Sequence, residues 1–141
     1  MAVFPSRQWC EEAVQLINAD RESRDAGEGW VGDFGAVVEA EPGKLVRPFA
    51  IHCQPRHGQI TQLRILRDPD ELDEIEPLYL ARATYSVWKG LIQGHLDPAE
   101  AVLRRRIQLQ GDAEQLMQRM RYKGIVDRVL AKLATQFADE L

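Results

Sequence analysis

Between Trp30 and Leu66 the chain alternates apolar and polar residues in three bouts, each closed by a turn signal, and this restricts the fold more than any other feature. In the first bout Trp30, Gly32, Phe34, Ala36 and Val38 point one way while Val31, Asp33, Gly35, Val37 and Glu39 point the other, which is the period of a strand. Glu41-Pro42-Gly43-Lys44 turns the chain by its Pro-Gly pair. A second strand runs from Leu45 to about Cys53 with Phe49 and Ile51 on one face, Gln54-Pro55-Arg56-His57-Gly58 turns again, and Ile60 to Leu66 forms a third strand. Strands joined by turns this short pair as an antiparallel meander.

The flanks change period. Ser6 can cap a helix that carries Trp9, Ala13, Leu16 and Ile17 on one face to about Asn18. Residues 20–29 are polar and end on two glycines, the mark of a short helix or loop. The acidic run from Asp68 to Glu76 reads as a polar helical turn or loop, and Leu78, Leu80 and Arg82 as a fourth short strand. Thr84 is placed to cap a helix with Val87, Trp88, Leu91 and Ile92, ending at Gly94. Asp97-Pro98-Ala99-Glu100 opens another, with Asp at the cap, Pro at the first helical position and Glu at the third. Ile107 and Leu109 alternate with Gln108 and Gln110 in a fifth strand that stops at Gly111. The whole is an α+β layer structure, five strands in a mostly antiparallel sheet covered by helices.

From Asp112, with Gln115 completing a capping box, the pattern predicts a long C-terminal helix. Ala113, Leu116, Met117 and Met120 fall on one side of it, whereas Tyr122, Ile125, Val126, Val129, Leu130, Leu133 and Phe137 fall on the other. A straight helix would leave one stripe in water. The expectation is therefore a bend near Gly124, with residues 122–137 covered by the body of the domain, by a second subunit in a homodimer, or by a ligand.

Composition bounds what such a chain can do. At 141 residues, 45% hydrophobic and 28% charged, it is one domain over residues 1–141 with a core sufficient to fold without disulfides or metal. Cys10 and Cys53 form no CxxC pair, and no signal peptide or membrane-spanning run is evident, so both read as buried thiols of a cytoplasmic protein. The final Ala138-Asp139-Glu140-Leu141 resembles a retrieval signal but lacks the entry peptide that would give it meaning. Residues 1–103 carry a net charge of −7 and residues 104–141 a net of +3. An acidic body argues against nucleic acid as a partner, because phosphate backbones demand a concentrated positive face.

No catalytic constellation emerges. His52, Cys53 and His57 come nearest to a metal cluster, but adjacent strand residues point to opposite faces and cannot share an ion. His95 lies in a turn with no partner, and the carboxylates of residues 68–76 have only Leu72 and Ile75 between them, too little apolar surface to split their pKa values. There is no GxSxG elbow, Walker loop or GxGxxG opening a helix. No cofactor is implied.

Five fragments in order carry a resemblance: Gly29-Trp30-Val31-Gly32-Asp33, His57-Gly58, Tyr85-Ser86-Val87-Trp88-Lys89, Gly94-His95-Leu96-Asp97-Pro98, and Ile107-Gln108-Leu109-Gln110-Gly111-Asp112. Together, from about residue 6 to residue 130, the chain is similar to the bacterial branch of the sterol carrier protein 2 family. The resemblance implies a five-stranded sheet under helices, with an apolar tunnel between them for fatty acids, acyl-CoA, sterols or other lipids. Trp30, Phe34, Phe49, Ile51, Trp88, Ile92, Met117 and Met120 are the expected lining. Arg104, Arg105 and Arg106 stand where the family often has Gly before the last strand, and this positive cluster is expected to meet an anionic headgroup or membrane surface. The expected function is non-catalytic lipid carriage, and the alternative is an accessory role presenting a lipid-like substrate to an enzyme through protein contacts.

Overall fold

The computed structural model describes residues 1–26, 28–29, 32–112 and 128–141. Strand β1 (Ala2–Phe4) leads into α1 (Arg7–Ala19) and α2 (Arg21–Ala26). The meander follows as β2 (Phe34–Glu39), β3 (Phe49–Arg56) and β4 (Gln59–Leu66). Then come α3 (Glu71–Ile75), β5 (Tyr79–Thr84), α4 (Tyr85–Ile92), α5 (Pro98–Leu103), β6 (Gln108–Gln110), β7 (Thr135–Phe137) and a closing 3₁₀ turn (Ala138–Glu140). The main sheet has five strands in the order β4-β3-β2-β5-β6. Within this sheet, among the described residues, only the β2–β5 pair is parallel, so the expected mostly antiparallel sheet is what forms.

The turn between β3 and β4 is tighter than expected. β3 continues through Pro55 and Arg56, with a register shift at Gln54/Pro55, because a bulge accommodates a residue that has no N–H to give the ladder. His57 and Gly58 alone reverse the chain, with φ of 51° and 80°, the left-handed pair of a two-residue hairpin. A side chain at Gly58 would also collide with the Arg24 backbone at 2.4 Å, so α2 can rest on this turn only because the residue is glycine.

Alternation fixes two faces. Val38, Phe49, Ile51, Leu63 and Ile65 pack with Trp9, Cys10 and Ala13 of α1 and with Tyr85, Trp88 and Ile92 of α4. Ala81 and Ala83 continue this inner face beneath Val87, Leu91 and Ala101. On the far face Val37, Ala50, Leu66 and Leu80 are covered by Leu72 and Ile75 of α3. The acidic run forms a short helix, one of its two expected forms, anchored by its two apolar residues. Asn18 ties α1 to edge strand β4 like an extra strand, donating to the Ile60 carbonyl at 3.0 Å and accepting its amide at 2.7 Å.

Helix caps follow the expected positions but not always the expected atoms. Ser6 Oγ accepts the Trp9 amide at 3.1 Å. Thr84 precedes α4 in extended conformation but makes no side-chain cap. Glu41 supplies it from the β2–β3 connection, accepting from the Ser86 amide at 3.1 Å and the Ser86 hydroxyl at 2.6 Å. Asp97 likewise makes no side-chain cap to α5. At the far end of α4, Gly94 takes φ 75° and the His95 amide reaches the Gly90 carbonyl at 2.9 Å, a Schellman stop.

The C-terminal helix is corrected most. Residues 128–130 are helical, but the chain then turns, and β7 pairs in parallel with β1, Phe4 opposite Phe137. Phe137 is therefore not on a helical stripe. It is buried against Phe4, with ring centroids 6.2 Å apart, and lies under the Lys89 ammonium. Val129 is buried too, and Leu130 and Leu133 pack on the inner-face cluster. This end of the chain is covered by its own domain. Gly124 and the stripe residues Tyr122, Ile125 and Val126 lie outside the described residues.

Candidate functional site

The layer between the inner face and the helices is where the resemblance leads one to expect the apolar lining residues. Seven of its apolar side chains, Phe34, Phe49, Ile51, Leu63, Ile65, Trp88 and Ile92, keep some exposure, while Trp9, Tyr85 and Leu91 beside them are buried. On the far face only the apolar patch of Val37, Ala50, Leu66 and Leu80 is buried, under Leu72 of α3, while Gln62, Arg64 and Gln108 of that face are exposed. Trp88 joins the two inner clusters. Its indole N–H donates to the Val37 carbonyl at 2.8 Å, so the polar atom is spent on the backbone and the ring is free to act as apolar surface.

An open cleft of about 220 Å³ reaches this layer's margin, lined by Ile92, Gln93, Leu130, Leu133, Thr135 and Phe137. That is below the ~300–1,000 Å³ of ordinary small-molecule sites. The C-terminal segment forms its rim and is clasped from both sides. Trp9 Nε1 donates to Thr135 Oγ1 at 2.9 Å, the Tyr85 hydroxyl donates to Asp139 at 2.6 Å, and Lys89 bridges Asp139 and Glu140 at 3.0 and 2.9 Å. Burial and then the Asp139 bond push the Tyr85 phenol up to about 12. The Tyr85 and Lys89 bonds hold Asp139 below the usual carboxylate range, and the bonds to Glu140 and Asp139 raise Lys89 despite its partial burial.

Asp33, His52 and the two cysteines are engaged within the fold. Asp33 closes the start of β2, accepting the Leu78 amide at 2.9 Å and facing His52 Nε2 at 2.7 Å. Burial opposes its ionisation, but the Leu78 and His52 bonds outweigh that and its pKa is lowered. Cys53 points to the opposite side from His52 and is buried, as is Cys10. Burial pushes both thiols up to about 12, far from the thiolate character that reactivity needs. Among the described residues no group of three His, Cys, Asp or Glu side chains could hold a metal. No described helix is long and apolar enough to cross a membrane.

No protein-family model and no curated protein sequence matches this chain. Solved structures do. The crystal structure of sterol carrier protein 2 superposes with a TM-score of 0.78 at 19% identity, over 92% of this chain and 98% of that one. A conserved hypothetical protein of Thermus thermophilus, suggested to be a sterol carrier protein, gives 0.79 at 18% identity over 93% and 90%. The fold is that of sterol carrier protein 2. A ubiquinone synthesis protein described as UbiJ-SCP2 is similar at a TM-score of 0.52 and 14% identity, over 88% of this chain and 89% of that one.

On this sterol carrier protein 2 fold, five of the eight expected lining residues come together. Phe34, Phe49, Ile51, Trp88 and Ile92 share the inner layer, and Ile92 alone of them lines the 220 Å³ cleft. Trp30, Met117 and Met120 lie outside the described residues. Leu63 and Ile65 join the layer without having been expected there, although their alternation with Gln62 and Arg64 already puts them beside Cys53 and Ile51. The arginine cluster is divided. Arg104 pairs with Glu100 at 2.9 Å, whereas Arg105 and Arg106 line a second cleft at the end of the sheet.

Proposed function

We propose that this chain binds an apolar ligand of the fatty-acyl or sterol-like class in the layer between the inner sheet face and its helices, and carries it without chemical change. The observation that supports this is the contrast between the two sheet faces. The five-residue α3 buries the apolar patch of the far face, whereas the layer beneath α1, α4 and α5 keeps Phe34, Phe49, Ile51, Leu63, Ile65, Trp88 and Ile92 half-buried among its buried residues. Covering that surface with an acyl chain yields ~25 cal/mol per Å² of apolar area removed from water. Few polar contacts are needed, so specificity should be broad. The name of the sterol carrier protein 2 structure, which the fold matches, points the same way.

Intrinsic tryptophan fluorescence, followed during titration with a long-chain fatty acid, an acyl-CoA, a sterol and a phospholipid, tests this directly, with native mass spectrometry to count bound molecules. Saturable change and a one-to-one complex are expected for at least one class. No saturable change in any class, with a ligand-free mass and a tightly bound protein partner, would replace carriage by the accessory role.

A further inference from the structure

The second cleft, about 370 Å³, is lined by Glu39, Arg82, Thr84, Val87, Arg105, Arg106 and Gln108, with Ala83 at its base. It sits where the ends of β2 and β5 meet the start of β6. Arg82 stands opposite Gln108 in the ladder and Thr84 opposite Glu39. By strand alternation these four belong to the far face, away from the inner apolar layer. The other two arginines come from the turn after α5, whose backbone is fixed. The Arg105 amide donates to the Val102 carbonyl at 3.0 Å and the Arg106 amide to the carbonyl of fully buried Ala101 at 2.8 Å.

We infer that this cleft is a binding site for a phosphate-type oxyanion, held by the guanidinium groups of Arg82, Arg105 and Arg106. Three arginines and one glutamate line the cleft. Glu39 engages Arg82 only at 3.8 Å, and Arg105 and Arg106 have no ion-pair partner among the described residues. Concentrating three positive charges costs repulsion unless an anion joins them, and planar guanidinium groups match phosphate oxygens in pairs. Thr84 and Gln108 add neutral polar side chains at the same cleft, and Val87 and Ala83 give it one apolar wall. The site differs from the simple Arg104–Arg106 run: Arg104 is occupied by Glu100, and Arg82 from β5 takes its place. It does not depend on lipid carriage. The anion could belong to a soluble phosphoryl compound or to the headgroup of an amphiphile whose tail passes over Val87.

Arginine side-chain ¹⁵N NMR during titration with sodium pyrophosphate, at constant ionic strength set with chloride, reads the site. Saturable shifts are expected at Arg82, Arg105 and Arg106 but not at Arg104. The R105Q/R106Q variant, altered only on an exposed turn, should bind at least about tenfold more weakly, in line with loss of charge-assisted contacts. R104Q removes an equal charge nearby and should leave affinity unchanged. Non-saturating shifts, or equal weakening by R104Q, would overturn the inference. Decyl phosphate compared with inorganic phosphate identifies the source. Tighter binding with shifts at Val87 and Leu91 methyls marks an amphiphile headgroup, and equal binding with silent methyls marks a soluble phosphoryl compound. Fatty-acid binding followed by tryptophan fluorescence is a separate readout, so failure of the anion site and failure of carriage are distinguishable.

Discussion

Replacing Phe137 by Ala asks whether the C-terminal segment is part of the core or a lid over the inner layer. Phe137 is 7% exposed, packs edge-on against Phe4 at 6.2 Å and lies 5.1 Å beneath the Lys89 ammonium, on a strand paired with β1. Truncating a buried phenylalanine in such a setting costs ~3–5 kcal/mol, a large share of the ~5–15 kcal/mol that holds a domain together. With a urea slope of ~2 kcal/mol per M, the unfolding midpoint should fall by roughly 1.5–2.5 M. Circular dichroism during urea titration measures this, with L141A as a control, since Leu141 is 75% exposed and should shift stability by less than ~0.5 kcal/mol. A midpoint for F137A within that same margin, together with faster lipid exchange, would refute the core assignment and make the segment a lid.

Other expectations follow from the same contacts. D33A removes the acceptor of the Leu78 amide and the partner of His52, and should lower thermal stability by ~1–3 kcal/mol in calorimetry; an unchanged melting temperature would mean that Asp33 does not tie β2 to β3 and β5. Tyr85, with its folded pKa near 12, keeps its proton longer than in the unfolded chain, where it ionises near ~10. Wild-type stability should therefore decline between those two pH values, a decline that Y85F should flatten in pH-dependent urea titrations. Asp139 works at the other end, its lowered pKa contributing stability above the unfolded value of ~3.9 that is lost as pH falls through the folded value, so D139N should be less acid-sensitive than wild type. For ligand binding, each methylene is worth ~0.8 kcal/mol when buried, so removing four from a fatty acid should weaken affinity roughly 200-fold; equal affinity by fluorescence would argue against an apolar site.

The sheet was legible because strand alternation is a local signal: Phe34, Val38, Phe49 and Ile51 declare their face without knowledge of the rest of the chain. The inner-layer position of Phe34, Phe49, Ile51, Trp88 and Ile92, on which the proposed carriage rests, was legible in the same way from local periodicity. What escaped depends on partners far away in sequence. β1 and β7 are three residues long, too short to show a period, and Phe137 stands four residues from Leu133, the spacing of a helix, although the chain has already turned between them. Thr84 looked like the cap of α4, but the carboxylate that does the capping is Glu41, delivered by the β2–β3 connection. Arg82 could not be joined to Arg105 and Arg106 before the ladder placed it opposite Gln108. Pro55 suggested a wide turn because a bulge that tolerates proline is invisible without the register of β4.

Methyl NMR with a long-chain fatty acid tests the central claim most directly, because the two faces of one sheet provide signal and control together. Carriage in the inner layer predicts saturable shifts at Ile51, Leu63, Ile65 and Ile92, while Val37, Leu66, Leu72 and Leu80 in the buried apolar patch of the far face stay still. Shifts confined to the far face, or no saturable shift on either face with any lipid class, would contradict it.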